Sequence, residues 1–408
     1  MKCRHCKTEL NHVFIDLNSS PPSNSYLSEA ELSETEAWYP LKVMVCDNCW
    51  LVQTEDFVDV DEMFSDDYAY FSSFSASWLQ HAEQYVEKVI SRFSLNKNSN
   101  VVEIAANDGY LLQYVHNKKI PCYGIEPTKS TAAAARDKGI EIIEDFFGIE
   151  KAEELVKKGK RVDLSIANNV LAHVPDINDF VNGFAIILKD HGVATFEFPH
   201  LLNLVTKNQF DTIYHEHYSY LSLITVQQIF KRNGLTVFDV EKLSTHGGSL
   251  RVYAQRSDTG QHAINSNVDN LIKEEIDNKL NTLTFYNGFQ EKAEKVKNDL
   301  LLFLKEAKKN KLTVAAYGAA AKGNTLLNFA GINSELISYV VDLNPAKQNQ
   351  FMPGSHIPIV NEEHLKKHRP DRIIILPWNL KKEIMEQLSY ISAWKGKFVT
   401  AIPHLEVI

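Results

Sequence analysis

From Asn100 onward the apolar residues fall into two alternating arrangements. NVVEIAA, IPCYGIE, IEIIED, VDLSIANN and GVATFEFP are short unbroken runs, the pattern of strands buried on both faces. Between them, DGYLLQYVHNK, TKSTAAAARDKG, FFGIEKAEELVKKG and DINDFVNGFAIILKD space their apolar residues as helices do, and the second ends at a glycine. Such alternation predicts a mainly parallel, doubly wound α/β sheet with ligands at the carboxyl ends of its strands. The segment from about Asn267 to Asn310, rich in Lys and Glu, predicts an elongated helical connector. After it, LTVAAYGAAAKGNTLLNFAG, ELISYVVDLNP, RIIILPWNL and KFVTAIPHL repeat the strand-helix rhythm and predict a second, smaller α/β fold.

Composition narrows the class. A chain of 408 residues with 44% hydrophobic content can bury more than one core, so two or three domains are expected. A net charge of −9 and the absence of any Lys/Arg-rich run leave no electrostatic footprint for a phosphate backbone, so nucleic acid is not an expected partner. The N-terminal MKCRHCKTEL lacks the apolar run of a signal peptide, and no stretch has the length of a bilayer-spanning helix. The expectation is a cytoplasmic protein with no membrane partner. No coiled-coil or edge-strand signal sets its oligomeric state.

Four of the five cysteines form two pairs, Cys3 and Cys6 in CRHC and Cys46 and Cys49 in CDNC. In a reducing compartment this spacing fits four thiolates around one zinc ion. Four thiolates close the tetrahedral shell, so the metal is expected to be structural. His5 reads as a turn residue and Cys122, in IPCYGI, as a small buried hydrophobe.

The predicted strand ends carry further chemistry. In VVEIAANDGY, Glu103, Ala105, Asn107, Asp108 and Gly109 occupy the place of a glycine-rich nucleotide loop. Glu126, at the end of the next strand, is placed to accept hydrogen bonds from both hydroxyls of a ribose. Asp145 and Phe146 suit an adenine amino group and ring face, and Asn168 and Asn169 close the fourth strand. This set of strand ends resembles class I S-adenosylmethionine-dependent methyltransferases more than NAD enzymes. Two of that family's loop glycines are absent here; alanine still permits close approach and asparagine tolerates the left-handed conformation.

A more specific resemblance covers the whole chain. The order CxxC…CxxC, EIAANDGYLL, NNVLAHVPD, FEFPH, YHEHYSYLS, HGGSLRVY and YGAAAKGNTLLN resembles the bacterial sugar C-methyltransferases of deoxysugar pathways. The resemblance implies a zinc-binding domain (1–65), a methyltransferase domain (66–265) and a family-specific C-terminal α/β domain (266–408). It also implies methylation beside a keto group, expected at C3 of a nucleotide-linked 4-keto-deoxyhexose with dTDP as the expected nucleotide. Carbon is not nucleophilic until a proton leaves, so this chemistry needs a general base, a stabilised enolate oxygen and an aligned sulfonium methyl. In DTIYHEHYSYLSL the resemblance makes His217 the base, with Tyr214 and Glu216 polarising the ketone or orienting the base. If the segment is extended, His215 and His217 share a side that Glu216 does not. His215 either faces substrate or braces the loop.

Tyr68 and Tyr70 precede the core, and the resemblance brings one of them near the reacting centre. His246, Gly247 and Gly248, before a predicted strand, either bring backbone close to the sugar nucleotide or make a turn. In YGAAAKGN, Tyr317, Lys322 and Asn324 flank a strand-to-helix turn whose N–H groups suit the substrate's diphosphate, with Lys322 adding charge. An NAD site with Asp342 at the next strand end is the sharp alternative there. For the whole chain, the other classes to weigh are a noncatalytic zinc-bearing protein that binds cofactor or sugar nucleotide, and a methyltransferase with an oxygen or nitrogen acceptor.

Overall fold

The computed structural model describes residues 1–55 and 71–408, so Tyr68 and Tyr70 lie outside the described residues. Its central sheet has seven strands in the order Leu235–Leu243, Ser249–Arg256, Leu188–Pro199, Val162–Asn168, Val101–Ile104, Cys122–Ile125 and Glu141–Ile143. The five strands predicted from the apolar runs pair in parallel, and the two strands of this sheet that come last in sequence, Leu235–Leu243 and Ser249–Arg256, form an antiparallel hairpin on one edge. The runs are unbroken because helices cover both faces: Val101, Val102, Leu164 and Ile166 are all fully buried.

From Val101–Ile104 the chain moves outward on one side of the sheet and then returns to place Val162–Asn168 on the other. That reversal opens a crevice at the carboxyl ends of both strands, the usual ligand position in such sheets. Helix Ile177–Ile187 starts where Asp176 accepts hydrogen bonds from the Asn178 and Asp179 amides, and it buries Phe180 and Phe184 against Phe147 and Phe196.

The C-terminal sheet runs Ile359–Val360, Val340–Val341, Val314–Tyr317, Arg372–Ile375, Lys397–Thr400 and Glu406–Val407, parallel except for the last strand. A third sheet is antiparallel and joins His12–Ser20, Tyr39–Val45, Val52–Thr54 and, from far along the chain, Ser219–Tyr220. One hydrophobic core runs from Phe14, Val43 and Val52 through Phe210 and Ile213 to Leu300, Leu326 and Ile374. The small N-terminal sheet therefore packs together with the C-terminal fold.

The expected helical connector differs in form. It divides into Ser266–Asp277 and Phe289–Lys309, with a short 3-10 turn Leu283–Phe285 between them. Lys279 and Gly288 take left-handed backbone conformations, which no helix can continue through. The second helix is also more than a spacer. It buries Phe289, Ala293, Val296, Leu300 and Leu304, and Phe289 stacks on Phe14 of the N-terminal sheet at 4.6 Å.

Candidate active site

The turn after Val101–Ile104 is left-handed at Ala105, Asn107 and Gly109, with φ of 57°, 49° and 73°. A β-carbon on Gly109 would lie 2.6 Å from the terminal methyl of Ile140 and 3.1 Å from Ala135, so close packing adds to the positive φ that favours glycine there. Glu126 ties the turn down: its two oxygens accept from the Asn107 amide at 2.8 Å and the Thr128 amide at 3.0 Å. Each oxygen retains lone-pair capacity for a further donor. Burial raises the Glu126 carboxyl above its ordinary pKa and raises Glu103, beside Tyr110 and the Leu112 amide, well above it.

Around this turn several polar atoms are buried without a protein partner among the described residues: Asp108 Oδ1, Asn168 Oδ1 and Asn169 Oδ1. Asp108 Oδ2 is committed, accepting from the Ser73 amide at 3.2 Å beside the Lys138 ammonium. Asn107 Oδ1 likewise accepts from the Ser72 amide. Asp145 pairs with Lys151 at 2.6 Å and accepts from the Phe146 amide, leaving the Phe146 ring 48% exposed. Buried polar atoms are normally hydrogen-bonded, so the crevice has the character of a site for a polar, ring-bearing ligand.

The HEH segment is a turn rather than an extended strand. The His217 amide donates to the Tyr214 carbonyl at 2.9 Å, and the side chains of the turn diverge. His215 is buried against the N-terminal sheet, its Nε2–H donating to the Tyr39 carbonyl at 3.2 Å. Glu216 accepts from Asn24 Nδ2 at 2.7 and 3.0 Å. His217 points into the protein, where its Nδ1 lies 2.8 Å from the Thr212 carbonyl. A carbonyl only accepts, so Nδ1 carries the hydrogen and Nε2 keeps its lone pair.

Around that imidazole, the Tyr214 ring lies 3.9 Å away and His173 meets it edge-on at 4.6 Å. Burial, followed by His173, Lys322 and His246, pushes the His217 pKa well below its ordinary value. Burial also lowers His173 and His246 to about 4. Near neutral pH all three imidazoles are uncharged.

Lys322, in the first turn of helix Ala321–Ala330, comes from the C-terminal fold to this same region. Its ammonium donates to Asn379 Oδ1 at 2.7 Å and lies 4.7 Å over the Trp378 ring; burial lowers its pKa to about 8, opposed by Asp211. Asp211 accepts from Trp378 Nε1–H at 2.7 Å and is pushed up to about 6 by burial, with Lys322 opposing. Gly247 lies against the same indole, 2.5 Å being all that a β-carbon would have, while Gly248 lies against Asn203. His246, itself left-handed, stands edge-on to Trp78 at 5.2 Å with its Nε2 3.4 Å from Asn169 Nδ2.

The other two residues singled out in YGAAAKGN are engaged in packing. Tyr317 lies in the C-terminal core and accepts from Gln387, and Asn324 donates to the Ser23 carbonyl at 2.6 Å. The amides of Gly318, Ala319 and Ala320 already donate to the Val341 carbonyl, the Asp342 carboxylate and the Gly318 carbonyl.

Sequence reasoning passed over His173, Asp211 and Trp378. His173 stood within NNVLAHVPD, and only its place just past a strand end marked it. It also passed over Glu197, fully buried at the end of Leu188–Pro199 and bonded to His81, Arg251 and Thr245. Burial alone would raise that carboxyl; His81 and Arg251 hold it at about 2.

The four paired cysteines converge at the N-terminus. Their sulfurs lie within 4.8 Å of one another, with Cys3–Cys49 and Cys6–Cys46 at 3.5 Å. Zinc–sulfur bonds of about 2.3 Å in a tetrahedron put sulfurs roughly 3.8 Å apart, so the cluster fits zinc. Cys122 lies in strand Cys122–Ile125, away from that group and partly buried.

Comparison with known proteins agrees with this layout. Residues 3–64 match the family described as "Putative zinc binding domain", residues 78–240 a methyltransferase domain, and residues 244–403 a C-methyltransferase C-terminal domain. Among solved structures, the PH0226 protein of Pyrococcus horikoshii OT3 superposes with a TM-score of 0.39 at 14% identity, covering 49% of this chain and 100% of that one. Magnesium protoporphyrin IX methyltransferase of Synechocystis PCC 6803 gives 0.36 at 15% identity, over 50% of this chain and 100% of that one. The C-methyltransferase NovU of Streptomyces niveus is 31% identical over 407 residues, covering 100% of this chain and 96% of NovU. With its cysteine cluster, its reversing parallel sheet and a full-length relative of this kind, the chain belongs to the C-methyltransferase family.

Proposed function

We propose that this C-methyltransferase moves a methyl group from S-adenosylmethionine to the carbon beside the ketone, C3, of a nucleotide-linked 4-keto-deoxyhexose. The sugar, its dTDP carrier and the position rest on the resemblance in the motif order. The general-base mechanism rests chiefly on one observation, the buried His217 with Nδ1–H fixed to the Thr212 carbonyl and Nε2 free to take a proton. S-adenosylmethionine, when bound, supplies an electrophilic sulfonium methyl. In this reading Glu126, Asp145, Phe146 and the Asn168–Asn169 pair line its crevice.

His217 Nε2 takes the proton from C3, and the C–H electron pair moves toward the ketone oxygen as an enolate. That carbon would take the methyl group that bound S-adenosylmethionine supplies, the new C–C bond forming as the methyl–sulfur bond breaks and neutral S-adenosylhomocysteine leaves. Tyr214, against the His217 ring, orients the base and faces the developing charge. Glu216 acts on the turn from behind through Asn24. Lys322, the cation nearest this region from the C-terminal fold, takes the diphosphate by its side chain, because the neighbouring loop amides are already engaged. The zinc-binding, methyltransferase and sugar-nucleotide roles then fall to about 1–65, 66–265 and 266–408.

His217→Ala is expected to slow methyl transfer by about 10²–10⁴-fold while leaving S-adenosylmethionine affinity nearly unchanged, because a general base acts only in the transition state. Labelled-methyl assays with a nucleotide 4-keto-6-deoxyhexose, paired with calorimetric titration of the cofactor, measure both. Wild-type turnover would remove His217 from the role.

A further inference from the structure

The two residues between the first pair of cysteines are buried: Arg4 is 6% exposed and His5 4%. His5 Nδ1–H donates to Asn178 Oδ1 at 2.8 Å, and Asn178 Nδ2 returns bonds to the carbonyls of Arg4 and His5. The knuckle thus rests on the methyltransferase fold just past the 3-10 turn Leu171–His173.

Arg4 reaches further, in two directions. One guanidinium nitrogen donates to the Pro175 carbonyl at 3.2 Å, two residues beyond His173. The other donates to the Thr54 carbonyl at 3.1 Å. Thr54 in turn grips the opposite segment, its hydroxyl donating to the His217 carbonyl at 3.3 Å and its amide to the Tyr218 carbonyl at 3.2 Å. The guanidinium also lies 4.7 Å from the centre of the Tyr218 ring. At its own backbone, the Arg4 amide donates to Gln53 Oε1 at 2.8 Å, and Gln53 Nε2 lies 3.4 Å from Cys3 Sγ.

We propose that Arg4 is a positioning residue that sets the spacing of His173 and His217, one arm of its fork on the segment that carries His173 and the other on Thr54, which grips the segment that carries His217. This rests on the reading of His217 as the base. The planar fork of arginine can bond two carbonyls on diverging lines at once, whereas a lysine ammonium is a single point of attachment. The two imidazoles meet at 4.6 Å, and a displacement of about 1 Å in such a constellation can cost on the order of 100-fold in rate. Zinc bound by the cysteines then fixes the backbone from which Arg4 reaches.

The test uses the full-length, zinc-loaded protein as Arg4→Met, Arg4→Lys and Thr54→Val, measuring zinc content, kcat, KM for S-adenosylmethionine and the imidazole NMR signals of His173 and His217. Arg4→Met is expected to keep one zinc per chain and a KM within about twofold, to lose at least about tenfold in kcat, and to shift both sets of imidazole signals. Arg4→Lys recovers part of kcat. Wild-type kcat and unmoved imidazole signals in Arg4→Met would overturn the proposal, as would a kcat that falls only in step with zinc content. Should Arg4→Met fail to fold, Thr54→Val removes a single hydroxyl and decides: a several-fold lower kcat with shifted His217 signals is expected, and wild-type values of both overturn it. His217→Ala runs in parallel. Wild-type turnover there removes the base, whereas unmoved imidazoles in the Arg4 variants remove the positioning role, so the two failures are distinct.

Discussion

A buried histidine kept neutral makes its pH behaviour legible in advance. The His217 pKa lies well below 6.5 in the folded protein, so as a base it stays competent while pH falls through the ordinary histidine range. The acid limb of kcat/KM is expected below pH 6.5, and a limb centred at or above that value would contradict a desolvated base. Stability carries the same sign. Below pH 6.5 the unfolded chain protonates imidazoles that the fold keeps neutral, so each of His173 and His246 withdraws up to about 1.4 kcal/mol per pH unit until its folded value near 4 is reached. Asp211, raised to about 6, works the other way between about pH 4 and 6, since its folded form holds a proton that the unfolded form releases. Glu103 and Glu126, also raised by burial, side with Asp211, while His215, His217, His262 and His364, lowered by burial, side with His173 and His246. Among the described residues the lowered imidazoles outnumber the raised carboxyls, and thermal melts should show a midpoint that falls from pH 7 to pH 5. Residues of this kind were unevenly legible. HEH announced itself by density, while His173 stands singly among apolar residues, and Asp211, at the edge of the HEH stretch, draws its chemistry from Trp378 and Lys322 far along the chain.

At the scale of elements, the alternation of short apolar runs with helical spacing predicted the parallel strands because burial on both faces leaves nothing for a polar residue to do. The packing of elements from different folds left no such trace. The turn Thr245–Gly247 and the turn Trp378–Leu380 interlock only because Gly247 has no side chain to hold the indole away, and because Asp211 accepts the indole N–H. GGS read as either a turn or a ligand contact, and nothing local revealed a tryptophan more than a hundred residues on. Gly247→Ala adds a β-carbon 2.5 Å from that ring at a φ of +85°. It is expected to destabilise the fold by about 2–3 kcal/mol, read as a lower denaturation midpoint at unchanged slope. An unaltered midpoint would mean that the interlock is loose.

Over the whole molecule, the cysteine cluster, the HEH turn and the C-terminal fold share supports, and this is why the zinc site bears on more than its own knuckle. The Cys49 carbonyl accepts from Thr225 on helix Leu223–Arg232, so the second pair of cysteines is tied to the methyltransferase fold just as the first is through Asn178. Metal analysis should find one zinc per chain. Cys46→Ser should lower the thermal midpoint by well over 10 °C, because metal binding of this kind contributes on the order of 10 kcal/mol to the folded state, while S-adenosylmethionine affinity in the folded fraction stays near wild type. A full zinc complement with an unchanged midpoint in that variant would refute the structural role. Finally, the last strand of the N-terminal sheet, Ser219–Tyr220, lies more than 160 residues beyond the strand it pairs with, Val52–Thr54. The outer edge of Val52–Thr54 is thus closed by a segment that follows most of the methyltransferase fold in the chain. Closing that sheet spans a loop of more than 160 residues, which places this pairing among the non-local contacts that slow folding.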